Sequence, residues 1–364
     1  MNIVEIESVL ENKMLRSVKL PFEMPKVYGF LGHAYVLGIL QPFEYAQPWI
    51  HTSYIQLFIS KPYLQDLQEY RLDFYPDLMI AYTHMPWLMY KHTDKVLLDQ
   101  LGVDIHRYLI TQLERKYYVV TYVDEFYIHN SICYQQNHFV HDIFIYGYDL
   151  DRQIYHVAIF DKNRQFTMQE VTFEQLGQAY SSQGKETQSL ISSCKRLEPL
   201  DYEGSKYGAG AGRFDFDLTL MIEILTDYLE GRNSTERLRI QQQPMEGYFG
   251  VEIYPYLQEF VMRVIEGAQN FDVRQLHILW EHKKMMVERI KYLQQLGHLA
   301  EDTPLLAVAE RLEKQAYTHR NLMLKGFMSQ NRSILQPLVN SLGEMLDTEK
   351  ALITQLIDEL EFRK

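Results

Sequence analysis

Thirteen histidines and two cysteines set the acid–base and nucleophilic chemistry open to this chain. One pairing is suggestive. His141 opens the apolar run Phe139–Tyr148, and Asp161 closes the next, Ile154–Phe160. If these runs are neighbouring antiparallel strands, both residues reach one end of a sheet. An imidazole with a carboxylate that fixes its tautomer is the base half of a nucleophilic site. No nucleophile precedes the pair in an obvious place. Cys133, on the Asp124–His138 connection, is the first candidate, and Ser53 or Thr52 comes next. Two other readings need no nucleophile: a pocket that only binds, or general acid–base work by His141 and Asp161 without a covalent step. Taken alone, Cys133 reads as a partly buried loop thiol, and His141 as a structural hydrogen-bonder beside a loop.

Two further clusters are weaker. His138, His141 and Asp142, with His129 from the connection, could suggest a metal. Histidines three apart on a strand point to opposite faces, however, so they do not chelate one ion. His277 and Glu281 share a helix face and could share a metal, with His282 pointing elsewhere. Their order is not that of the zinc-protease helices, and the plain reading is a solvated or helix-contacting face. The glycine stretch Tyr207–Gly212 lacks the phosphate-loop pattern and a preceding strand, so it reads as a loop. No metal or cofactor is expected.

The elements that must position His141 and Asp161 are three β-branched and aromatic runs, Tyr117–Val123, Phe139–Tyr148 and Ile154–Phe160. A β-like Phe166–Val171 follows, then a helix start capped by Thr172. Upstream, Leu31–Leu40 reads as a short buried helix, Trp49–Ser60 as another, and Asp94–Arg115 as a helix capped by Asp94 and interrupted at Gly102. From Phe216 onward the pattern is helical, with helices expected near 216–231, 253–268, 272–297, 304–327 and 331–361. Thr303 and Pro304 mark the start of the fourth. The expected class is α+β: a sheet domain with packed helices over 1–195, a flexible linker over 196–215, and an all-α bundle over 216–364.

A chain of 364 residues with 46% hydrophobic and 23% charged residues has the composition of a globular protein with a well-buried core. Its 27 tyrosines imply many rings half-buried with their hydroxyls wet or paired. The net charge of −12 argues against nucleic acid or an anionic membrane as partner. Two cysteines make neither a disulfide framework nor a cysteine-rich zinc site. The first residues show no secretory pattern, and no run is long and apolar enough to span a bilayer, so a cytoplasmic protein is expected.

The block from Tyr117 to Tyr180 resembles the butirosin-biosynthesis acyltransferase-like family, itself similar to bacteriocin-processing cysteine peptidases of papain-like fold. The resemblance rests on His141, Gly147, Tyr148-Asp149 and Asp161, with Val123-Asp124 upstream and Val171–Leu176 downstream. In the helical tail, Glu281-His282-Lys283-Lys284 is the most recognisable piece. The resemblance implies a papain-like antiparallel sheet and acyl or peptidyl transfer, or hydrolysis, in peptide natural-product biosynthesis. The substrate would be a small molecule or peptidyl group, free or on a carrier protein, and a homodimer is allowed. It also implies a cysteine at the N-terminus of an early helix, where the dipole lowers its pKa. The matching place, Gly32–Tyr35, holds neither cysteine nor serine. The expectation is therefore either an enzyme with a substitute nucleophile or a catalytically inactive binding or partner subunit.

Overall fold

The structure is a computed structural model that describes residues 15–66, 68–75, 87–182, 190–198, 215–238 and 244–363. In chain order the first elements are β1 (Ser17–Lys19), α1 (Leu31–Leu40), α2 (Gln47–Ser53), β2 (Gln56–Ser60), α3 (Lys61–Asp66) and β3 (Leu72–Tyr75). Next come β4 (Leu88–Asp94), α4 (Lys95–Gln100), α5 (Ile105–Glu114), β5 (Tyr117–Asp124), β6 (Val140–Asp149), β7 (Ile154–Phe160) and β8 (Phe166–Thr172). They are followed by α6 (Phe173–Ser181) and β9 (Leu190–Arg196). The last are α7 (Leu218–Glu230), β10 (Gly247–Phe249), α8 (Tyr254–Glu266), α9 (Arg274–Gln295), α10 (Leu305–Ser329) and α11 (Gln336–Phe362). The class is α+β, as the patterning predicts.

The chain divides into two units, but not at one boundary. Residues up to Pro42 and Tyr82–Ala211 form the first; Phe43–Ala81 and Gly212–Lys364 form the second. The expected single break between 1–195 and 216–364 thus becomes a discontinuous one, and most of the expected linker, 199–214, lies outside the described residues. The cause is hydrogen bonding. β2 pairs with both β3 and β10, making a small sheet inside the helical unit. Arg289 of α9 donates to the carbonyls of His51 and Tyr54 at 2.7 and 2.6 Å.

The first unit is built on an antiparallel sheet in the order β4-β9-β5-β6-β7-β8. β5 pairs with residues 140–145 of β6, and β1 pairs with Gly147–Asp149. Residues Ile143–Tyr148 of β6 are all buried, so this strand is covered on both faces and reads as a continuous apolar run. Every residue of α1 is buried too, which is the placement an all-round apolar helix demands. Its Tyr35 ring stacks on Phe144 at 4.7 Å. Its Gly38 lies under Phe22, where a Cβ would come within 2.2 Å of the ring.

Several elements depart from the sequence pattern. Trp49–Ser60 is not one helix: α2 stops at Ser53, and the β-branched and aromatic Gln56–Ser60 becomes the buried strand β2. Asp94–Arg115 is two helices, split where Gly102 takes φ +60°. Each half has its own cap, Asp94 accepting from the Val96 N–H and Asp104 from the Arg107 N–H. Thr172 forms the expected cap, with Gln175 answering it in a capping box. The five expected C-terminal helices fall on α7 to α11. Among the described residues, no helix is long and apolar enough to cross a membrane.

Candidate functional site at the start of the central strand

The site is assembled where β5 ends beside the start of β6, with Val123 opposite His141 and Tyr122 opposite Asp142. β5 hands over to a short 3-10 turn, Glu125–Tyr127. Asp124 fixes that handover by accepting from the N–H groups of Phe126 and Phe139, both at 3.1 Å. The Glu125 N–H in turn donates to the Phe139 carbonyl at 2.9 Å. Glu125 is therefore pinned at both sides and its carboxylate is turned inward, only 6% exposed.

Two histidine–carboxylate pairs result. His141 Nδ1 lies 3.1 Å from Glu125 Oε1, and its Nε2 lies 3.5 Å from Asp142 Oδ1. His138 Nδ1 lies 2.6 Å from Asp124 Oδ2, and its ring stacks on Phe126 at 4.4 Å. The Ser182 hydroxyl also donates to Asp124, at 3.3 Å. The Tyr35 hydroxyl reaches the Asp142 main-chain carbonyl at 3.5 Å. The second oxygen of Glu125, Oε2, is buried with no hydrogen-bond partner among the described residues. It is an acceptor that a donor group in this site would satisfy.

The electrostatics follow from this packing. Burial opposes charge on the His141 imidazole, but the hydrogen bond with Glu125 and the charges of Asp142 and Glu125 outweigh it and raise its pKa. Burial raises the pKa of Asp142, and the charge of His141 offsets this only in part. Asp124 moves the other way. Burial would raise it, but the hydrogen bonds from His138, Phe126 and Phe139 hold its carboxyl below the ordinary range. His141 is 35% exposed, so a ligand can reach the imidazole, whose ring is already fixed by its neighbours.

The residues singled out in the sequence are distributed as follows. Asp161 does stand at the sheet end where β6 starts and β7 stops, but its carboxylate serves its own turn. Oδ1 accepts from the N–H groups of Asn163 and Gln165 at 2.8 and 2.9 Å, and Oδ2 from the Asn163 amide at 3.4 Å. The carboxylate on His141 is that of Glu125. Cys133 is half-buried in the connection, with no hydrogen bond to His141 among the described residues. Burial and the charges of Glu125 and Asp124 raise its pKa, against a weaker effect of Arg164. Its thiol is thus held protonated, the opposite of an activated nucleophile. Ser53 and Thr52 end α2 in the other unit, and the Thr52 hydroxyl donates to the Pro48 carbonyl at 2.8 Å. His129 lies edge-on against Tyr134. Among the described residues, no group of three or more histidine, cysteine or acidic side chains is arranged to hold a metal.

Of the two plain readings of the α9 cluster, the helix-contacting face is the one found, not the solvated one. Glu281, His282 and Lys283 are buried. His277 bonds Glu281 at 3.1 Å and receives Arg320 Nε at 2.8 Å. His282 donates to the Ile55 carbonyl at 2.8 Å, and Lys283 donates to His282 Nδ1 at 3.1 Å and ion-pairs with Glu349. The Tyr254 hydroxyl completes the set, donating to Glu349 at 2.5 Å. Each member is satisfied by another, as buried charges require.

Glu125 is the residue that sequence reasoning passed over. Its only signal is an acidic pair placed where an apolar strand meets a long connection. Compared with known proteins, the chain matches no protein-family model and no curated protein.

Proposed function

We propose that the first unit is a binding module that holds a small-molecule or peptidyl substrate, or a partner carrying one, without forming a covalent intermediate. The reading keeps the papain-like ancestry suggested by the 117–180 block, and with it a place in peptide natural-product metabolism. The observation that carries it is at His141 Nε2. The position a thiol or hydroxyl would need is faced by the Asp142 carboxylate at 3.5 Å, and the Cys133 thiol is pushed toward its protonated form. Glu125 Oε2, buried with no hydrogen-bond partner among the described residues, favours a ligand that brings an N–H or ammonium donor.

A second reading rests on a separate observation. A reachable imidazole with raised pKa is suited to donate a proton, so the site could hydrolyse or transfer an acyl group by acid–base work alone. One experiment separates the readings. The protein is incubated with an N-acetylcysteamine thioester, and adducts are followed by intact mass and hydrolysis by thiol release. The binding reading expects neither adduct nor release above the His141→Ala background. An adduct on Cys133 that His141→Ala abolishes overturns it in favour of covalent chemistry. Release without adduct, lost in His141→Ala and Glu125→Gln, overturns it in favour of acid–base catalysis.

A further inference from the structure

The second unit contains a cleft of its own, of about 400 Å³, within the size range of small-ligand sites. Its walls come from three elements and one loop. α3 supplies Lys61, Leu64 and Gln65, β10 supplies Tyr248, α8 supplies Tyr256, Glu259 and Arg263, and Tyr70 stands just before β3. The spacing on α8 puts its three residues on one stripe of the helix.

The polar groups are not equally occupied. Glu259 Oε1 already accepts the Tyr70 hydroxyl at 2.7 Å. Among the described residues Lys61 has only a loose partner, Glu246 at 3.9 Å, and its side chain is 43% exposed. Arg263 Nε is buried and has no hydrogen-bond partner among the described residues. A buried guanidinium N–H without an acceptor is costly unless something supplies one. The lining therefore holds two cations against one engaged carboxylate, in a chain whose net charge is −12. Beside them Tyr248 and Tyr256 stack at 3.8 Å, and this pair gives the cleft an aromatic wall.

We propose that this cleft binds a small oxyanion carried on an aromatic body, with Arg263 and Lys61 taking the anion and the Tyr248–Tyr256 pair taking the ring. The arginine fork suits carboxylate and phosphate alike, and the site is independent of the reading given to the His141 site. The test is isothermal titration of the full chain with phenyl phosphate, phenylacetate, inorganic phosphate and neutral benzyl alcohol. At least one of the two aromatic anions binds, more tightly than inorganic phosphate and than benzyl alcohol. Which of them binds better tells phosphate from carboxylate. Arg263→Gln weakens that binding about tenfold or more, Arg263→Lys weakens it less, and Tyr248→Ala weakens it with the anion contact intact. Circular dichroism and the thermal midpoint show whether each variant is folded. If Arg263→Gln does not fold, Arg263→Lys and Tyr248→Ala carry the test. The proposal is overturned if neither aromatic anion gives heat or a thermal shift at millimolar concentration. It is equally overturned if benzyl alcohol binds as well as they do, or if the folded variants bind as the parent does.

Discussion

At the scale of single residues, the two histidine–carboxylate pairs pull in opposite directions with pH. The pKa of His141 is raised in the folded chain. Its pairing therefore stabilises the fold fully below the free imidazole value, about 6.5, and that stabilisation is lost as pH rises through the raised folded value. The pKa of Asp124 is lowered. Its contribution is present above the ordinary carboxylate value, about 3.9, and is lost as pH falls through the depressed one. Glu125→Gln keeps the size of the side chain and removes the charge and the ionic acceptor. In that variant the His141 pKa, followed through its ring proton by NMR, is expected to fall, while the depressed Asp124 carboxyl stays where it is. An unchanged His141 titration would mean that Asp142, not Glu125, sets its charge.

At the scale of elements, α6 offers the cleanest test of a local signal. Its Thr172 accepts from the Gln175 N–H while Gln175 answers the Thr172 N–H. Thr172→Ala removes half of that exchange and should cost about 1 kcal/mol, a drop of roughly 2–4 °C in melting temperature for a unit of this size. Caps of this kind were legible because they depend on residues close together in the chain. So was α1, whose sequence, apolar but for His33, has only one place to go. What escaped was decided by distant partners. Gln56–Ser60 has the length and apolarity of a helix end or of a strand, and its pairing with residues 247–249 makes it a strand. β4 and β9 pair with each other, but their mixture of lysine, histidine and serine gives no alternating pattern to read. The strand order that brings His141 and Asp161 to one sheet end was legible. The carboxylate that meets His141 was not, because a two-residue amide clamp engages Asp161 and the turn after β5 delivers Glu125 instead.

At the scale of the whole molecule, the chain enters the helical unit twice, and a buried polar network ties the two passes together. His282 on α9 donates to Ile55 from the early pass, and Lys283 beside it pairs with Glu349 on α11. Burial pushes the pKa of Lys283 down, with the charge of Glu349 opposing that shift, and burial together with Lys283 and Arg289 pushes His282 well down. His282 is therefore neutral and serves as a hydrogen-bond relay between the ion pair and the Ile55 carbonyl. Such a network specifies one register for α9, α11 and the inserted segment, because any slip leaves a charge unpaired out of water. Lys283→Met does so directly. It strands Glu349 without its cation, leaving it the Tyr254 and Tyr228 hydroxyls, and should cost about 3–5 kcal/mol in chemical unfolding. Replacing both partners, Lys283→Met with Glu349→Leu, removes the stranded charge and should cost clearly less than the single change, since an apolar pair of similar volume can do as well as a buried ion pair. If the double variant is instead as damaged as the single one, the ion pair is not what the network protects. The relay from His282 Nδ1, which loses its donor in both variants, would then be the contact that holds the inserted segment in place.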